Sequence, residues 1–170
     1  GVLIGGDDGN YRITGDWIRK RIGTLAREAQ NCKADLYVTT SRRTSPEAES
    51  ALLELTDEVK VFRLLLLASK NPVNPVPGIL GGCSDVFCTE DSVSMVSEAA
   101  TAGFVVRLMR VERKKGLKNL FQEWIFLLVN NLGLRSSFLC GAHRFDAMLS
   151  GFKKRGLIVE EGTSPTVRGN

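Results

Sequence analysis

At 170 residues the chain is sized for about one domain, and 43% hydrophobic with 25% charged residues excludes a disordered or fibrous protein. The net charge of +4 is uneven: residues 104–118 hold six cations and one anion, Glu112, which leaves the remainder at about −1. That placement argues against a diffuse nucleic-acid-binding surface and predicts a local anion-facing feature.

The chain opens on Gly1-Val2-Leu3-Ile4, a strand-like run with no leader, and a preceding portion is expected. The turn Gly5-Gly6-Asp7-Asp8-Gly9-Asn10 follows. A helix is predicted from about Gly15, capped by Thr14, with Ile18, Ile22, Leu25 and Ala29 in one apolar stripe. Asp35–Thr40 reads as the second strand. Ser45 then serves as an N-cap with Pro46 at the first helical position, opening a helix to about Thr56. Val59–Leu67 is the third strand, apolar enough to be expected buried on both faces. Asn71–Pro77 is a stiff loop with three of the five prolines, ahead of a short helix to Gly82.

Asp85–Cys88 is the fourth strand, Ser92–Ala102 a helix and Val105–Met109 the fifth strand. Leu117–Leu132 reads as the longest helix and Phe145–Arg155 as the last, before a Gly/Ser/Pro tail at 157–170. Strand–helix alternation with short turns predicts right-handed crossovers. The fold class is therefore α/β, a Rossmann-like parallel sheet with helices on both faces, spanning residues 1–156.

The four cysteines, Cys32, Cys83, Cys88 and Cys140, contain no C-x-x-C pair, and His143 is the single histidine. No zinc spacing can be assembled from them, no metal is predicted, and small buried hydrophobes in a reducing compartment is the simpler reading. The longest apolar runs, Leu64–Ala68 and Trp124–Val129, fall far short of the roughly 20 residues that cross a bilayer. The basic stretch Arg107–Lys118 precedes a helix with a wide apolar stripe. Such an arrangement either contacts an anionic membrane surface peripherally or packs the helix on the sheet behind a solvated loop.

In open parallel sheets, ligands bind outside the carboxyl ends of the strands. Three ends here are polar. Gly5 and Gly6, with Asp7, Gly9 and Asn10, could bring backbone N–H groups to a phosphate, or could form only a tight turn. This is neither G-x-G-x-x-G nor a P-loop, so neither dinucleotide nor ATP binding follows. Thr40, Ser41, Arg42 and Arg43 suit a phosphate through guanidinium forks, or form a solvated loop. At the third end, Asp91 or Ser92 would cap a helix whose free N–H groups at Val93 and Ser94 suit a diphosphate. Ser94 and Glu98 are i and i+4, so they share a face, with Val93, Val96 and Ala100 opposite. Glu98 could accept hydrogen bonds from a vicinal diol, or be a surface helix residue.

Asp85–Gly103, with helix-start serines and a glutamate before small residues, resembles the nucleotide-sugar-binding half of GT-B glycosyltransferases, among them the enzyme that adds GlcNAc to lipid-linked muramyl-pentapeptide. VLIGGDDGNYRIT, VTTSRRT, the asparagine–proline loop and TEDSVSMVSEAATAG are similar, more closely, to the mitochondrial-fission "elongated mitochondria" family of plants and bacteria. Bacterial members are often labelled sugar-nucleotide epimerases.

The resemblance implies the C-terminal domain of a GT-B-like protein that binds a nucleoside diphosphate sugar, with no cofactor and no obligatory metal. Glu98 would hold the ribose hydroxyls, the Ser92–Ser94 amides the diphosphate, and Gly5-Gly6 its other side. Arg42 and Arg43 have no secure counterpart in the glycosyltransferases. The acceptor site and catalytic base would lie in an absent N-terminal domain, so this chain alone should not catalyse transfer. The alternative implied by the plant members is a non-catalytic adaptor that recruits a dynamin-like GTPase. The location implied is cytoplasmic, at the mitochondrial outer face in a plant. An epimerase needs a base to abstract a sugar proton, and none is evident. The chain departs from its relatives at Phe104–Arg107, where a proline commonly follows the small-residue turn, and in the basic Arg113-Lys114-Lys115.

Overall fold

The computed structural model describes residues 1–114 and 149–160. Its elements in chain order are β1 (Val2–Ile4), β2 (Tyr11–Arg12), α1 (Gly15–Asn31), β3 (Leu36–Thr40), α2 (Pro46–Glu58) and β4 (Phe62–Leu66). They continue with α3 (Val76–Gly82), β5 (Val86–Thr89), α4 (Val93–Thr101), β6 (Val106–Met109), β7 (Glu112–Arg113) and β8 (Ile158–Glu160). Six strands form one parallel sheet in the order β4-β3-β1-β5-β6-β8. The chain winds outward from β1 in one direction and then restarts at β5 in the other. This is the doubly wound Rossmann-like arrangement, with its order reversal between β1 and β5.

Local chemistry accounts for the element starts. The Thr14 hydroxyl accepts from Trp17 N–H at 3.1 Å, and the Ser45 hydroxyl accepts from Ala48 N–H at 3.2 Å beside a proline at the first helical position. Each cap satisfies an N–H that the helix itself leaves without a partner.

The alternation of side chains along the central strand divides the core between the two faces. Val2 and Ile4 join Ile18, Ile22, Leu52 and Leu55 under α1 and α2. Leu3 joins Ile79, Val86, Val96 and Val106 under α3 and α4. Each such aliphatic side chain contributes about 1.5–3 kcal/mol relative to exposure.

Two expectations change. The third predicted strand, β4, lies at the sheet edge: Arg63 is exposed and the other β4 residues are half-buried, not buried on both faces. The segment expected to be a tail from residue 157 supplies β8, paired with β6 through Val106↔Ile158 and Arg107↔Val159. Gly156 makes this entry: at φ 71° it closes the helical residues 149–154, where Leu157 N–H reaches the Phe152 carbonyl at 3.0 Å. A three-residue strand is too short to show periodicity.

A second small sheet, antiparallel β2–β7, also escapes sequence reading. The Arg113 guanidinium lies 5.6 Å from the Tyr11 ring centroid across it. The predicted Leu117–Leu132 helix and residues 145–148 of the predicted Phe145–Arg155 helix lie outside the described residues, as do Cys140 and His143, while 149–154 are helical as expected. No described helix is long and apolar enough to cross a membrane.

Candidate functional site

At the carboxyl ends of the strands, a cleft of about 520 Å³ opens between the β3 and β4 ends on one side and α4 on the other. Thr40, Ser41, Arg42 and Arg43 come from the end of β3, Leu66 and Ala68 from the end of β4, and Asn71–Val76 from the proline loop. Ser92, Ser94, Met95 and Glu98 line the opposite wall. The i,i+4 spacing of Ser94 and Glu98 brings both to this wall, while Val96, Ala99 and Ala100 are buried on the packed side. Val93, expected on that packed side, is 41% exposed.

The start of α4 lacks a side-chain cap: Ser92 occupies the N-cap position and makes no such bond. Its first-turn N–H groups therefore carry the positive end of the helix dipole to the cleft wall, with no acidic residue in that turn. Arg42 is exposed on the facing wall.

The remaining predicted residues have a different task. Gly5 N–H donates to Thr89 Oγ1 at 2.7 Å and Gly6 N–H donates to Asp91 Oδ2 at 2.8 Å. These amides hold buried side chains of the β5 loop and are not directed at an external anion. Glycine is required because a Cβ at Gly5 would overlap the Asp91 carboxylate, and one at Gly6 would overlap the Arg43 backbone. Asp91, expected as a cap, is instead fully buried beneath the cleft. Arg43 Nη2 donates to its Oδ2 at 3.1 Å, and Arg43 Nη1 donates to the Gly6 carbonyl at 3.0 Å. Arg43 thus borders the cleft with its charge already matched. The polar side chains at the β1/β5 reversal fill that crevice, and the open space lies toward β3 and β4.

Asp7, Gly9 and Asn10 do not line the cleft. Asp7 accepts from Ile13 N–H at 2.9 Å, Asp8 Oδ1 accepts from Asn10 and Tyr11 N–H at 2.7 and 2.8 Å, and Gly9 is exposed. Together they form an Asx turn that leads into the β2–β7 ribbon.

The basic stretch also divides. Arg107 lies in β6, 3.3 Å from Asp85 and 5.7 Å from the Phe87 ring centroid, toward the amino ends of the strands. Arg110 faces Glu90 at 4.0 Å, and Lys114 donates to the Asp8 carbonyl at 2.8 Å with Asp7 3.8 Å away. Arg107, Arg110 and Lys114 therefore sit at opposite ends of the sheet beside acidic neighbours, and Arg113 lies over Tyr11.

Sequence reading missed Glu49, and took Thr44 only as one hydroxyl of the polar end of β3. Glu49 is 6% exposed and accepts from Thr40 Oγ1 at 2.8 Å. Thr44 Oγ1 accepts from Ser41 N–H at 3.0 Å and donates to the Gly5 carbonyl. An acidic residue in the first turn of a helix is common, so nothing in the sequence sets Glu49 apart. Cys88, in β5, is fully buried, and burial pushes its thiol well up, with the Asp91 and Glu98 carboxylates adding to the rise. Among the described residues, no three His, Cys, Asp or Glu side chains gather in a metal-like group.

The family follows from the first 125 residues of the chain. The sequence model for mitochondrial fission ELM1 matches residues 1–125, which take in β1 through β7 and every residue of the cleft. The chain belongs to the mitochondrial fission ELM1 family. No curated protein and no solved structure matches it. Within this ELM1 family chain, Thr89–Ala99 carries the buried anchors Thr89 and Asp91 and the cleft-lining Ser92, Ser94, Met95 and Glu98.

Proposed function

We propose that this ELM1 family domain binds a nucleoside diphosphate, presented as a nucleotide sugar, in the cleft between Arg42 and α4. One observation carries the reading: the uncapped start of α4, the Ser94–Glu98 face and Arg42 border the same 520 Å³ space. The diphosphate would take the first-turn N–H groups of α4 and the Arg42 guanidinium. The Glu98 carboxylate, one turn further on, would accept from the paired ribose hydroxyls. Arg43, held by Asp91, would shape the floor and contribute little net charge.

By its resemblance to GT-B glycosyltransferases, the domain would supply the nucleotide half of a transferase, with the acceptor and base on another domain. Titration calorimetry of the protein with UDP, GDP and their sugars tests the reading. Saturable binding to at least one supports it, and absence of heat with all of them overturns it. A Glu98→Ala change is expected to weaken binding by about 1.5–3 kcal/mol, the value of a hydrogen bond to a charged group.

A second reading is favoured by the family description, mitochondrial fission, which names a process and not a reaction. In that reading the domain is an adaptor that recruits a dynamin-like GTPase. Partner capture that survives Glu98→Ala, with no nucleotide binding, would favour it.

A further inference from the structure

Glu49 is a buried carboxylate that the nucleotide reading leaves unused. It sits in the first turn of α2 and is 6% exposed. Its Oε1 accepts from Thr40 Oγ1 at 2.8 Å and from Ser69 N–H at 3.4 Å, and its Oε2 accepts from the Ser69 hydroxyl. Removing a carboxylate from water is costly unless hydrogen bonds replace the lost hydration. The start of α2 and these three donors supply that replacement. What the arrangement achieves is a tie between elements distant in sequence. Thr40, its hydroxyl given to Glu49, accepts from Ala68 N–H at 2.8 Å. The ends of β3 and β4 are thereby locked to α2.

The segment so locked runs directly into the cleft wall formed by Ala68 and Asn71–Val76. The other hydrogen bonds of that wall are internal. Lys70 and Asn71 N–H both donate to the Leu67 carbonyl at 3.0 Å, and Asn74 Oδ1 accepts from Val76 N–H at 3.1 Å. Such bonds fold the loop on itself, and its far end is held by Val76, buried in the same core cluster as Val96 and Ala99 of α4. Its near end is held where Ala68 and Ser69 meet Thr40 and Glu49.

We infer that Glu49, acting through Thr40 and Ser69, is a positioning residue that sets the base-facing wall of the cleft. The inference rests on the nucleotide reading. With the diphosphate at α4 and Arg42, and the ribose at Glu98, the proline-loop wall is the surface left for the base. Glu49 touches no ligand. It governs how well the nucleoside fits, and leaves the diphosphate site alone.

Calorimetry with two probes, UDP and inorganic pyrophosphate, separates these contributions in wild type, Glu49→Gln and Ser69→Ala. Both variants are expected to bind UDP about five- to tenfold more weakly, the scale of one lost hydrogen bond. Their pyrophosphate affinity is expected to stay within about twofold, because that site is built on α4 and Arg42. Ser69→Ala deletes a single hydroxyl and keeps the test alive if Glu49→Gln fails to fold. Equal losses for both probes, or no loss for either, overturn the inference while the nucleotide reading stands. A wild-type protein that binds neither probe, nor GDP or either nucleotide's sugars, overturns the nucleotide reading, and the inference falls with it; if GDP binds and UDP does not, GDP takes the place of UDP in the comparison.

Discussion

Arg43 and Asp91, 48 residues apart, are joined by an Nη2–Oδ2 contact of 3.1 Å in which the carboxylate is fully buried and the arginine is 41% exposed. The pair ties the loop after β3 to the loop after β5 across the intervening β1. It places the positive charge of Arg43 against a carboxylate, whereas the adjacent Arg42 stays open to the cleft.

Two neighbouring arginines should therefore give opposite phenotypes. Arg43→Ala leaves Asp91 buried with only the Gly6 N–H on its Oδ2, and is expected to cost about 1.5–3 kcal/mol of stability. Arg42→Ala should change stability by less than about 0.5 kcal/mol, as an exposed surface substitution, while weakening diphosphate binding. Urea unfolding alongside nucleotide titration checks both; equal stability losses would contradict the division of labour.

The paired glycines of the first turn are needed for close packing. A Cβ at Gly6 would meet the Arg43 backbone, which cannot swing aside as a side-chain end would. Gly6→Ala is expected to destabilise by about 1–3 kcal/mol, the usual cost of overpacking. At Gly9 nothing lies within 4 Å of an added Cβ, so Gly9→Ala should be nearly neutral. Thermal midpoints of the two variants separate these cases.

The buried Cys88 thiol gives an alkaline signature. Its raised value in the folded state means that the native protein keeps a proton that the unfolded chain loses above about pH 8.5. Its contribution is full below that pH and falls as pH rises toward the folded value, by up to about 1.4 kcal/mol per pH unit. Cys88→Ala should flatten this part of the stability curve, measured by urea unfolding between pH 7 and pH 10. In the native protein at pH 8, iodoacetamide should alkylate the exposed Cys32 well before Cys88.

Loss of Asp91 should be felt at two places together. Asp91→Ala leaves the Gly6 N–H and Arg43 Nη2 without their acceptor, an expected cost of about 2–3 kcal/mol. Arg43 keeps its Gly6 carbonyl bond and Asp8 3.8 Å away, but loses its nearest carboxylate at the cleft border. Pyrophosphate affinity should therefore hold or rise while the urea midpoint falls, and a fall in both would show that Asp91 supports the phosphate site itself.

The helix caps at Thr14 and Ser45-Pro46, the apolar stripe of α1 and the alternation of strand with helix were all legible in the sequence. They arise from interactions three or four residues apart, which spacing records directly. The i,i+4 pair Ser94 and Glu98 was legible for the same reason, and the family was legible by resemblance of its motifs. What the tertiary structure alone decided is the use of residues whose partners lie far along the chain. Gly5 and Gly6 looked free to meet a phosphate until Thr89 and Asp91, 84 and 85 residues away, took their N–H groups. Arg43 looked as available as Arg42 until Asp91 claimed it. Glu49 gave no signal in the sequence and gained its role only where the end of β4 brings Ser69 over it. Burial and hydrogen-bond satisfaction depend on which loops the sheet order sets side by side, and that order is a property of the assembled sheet.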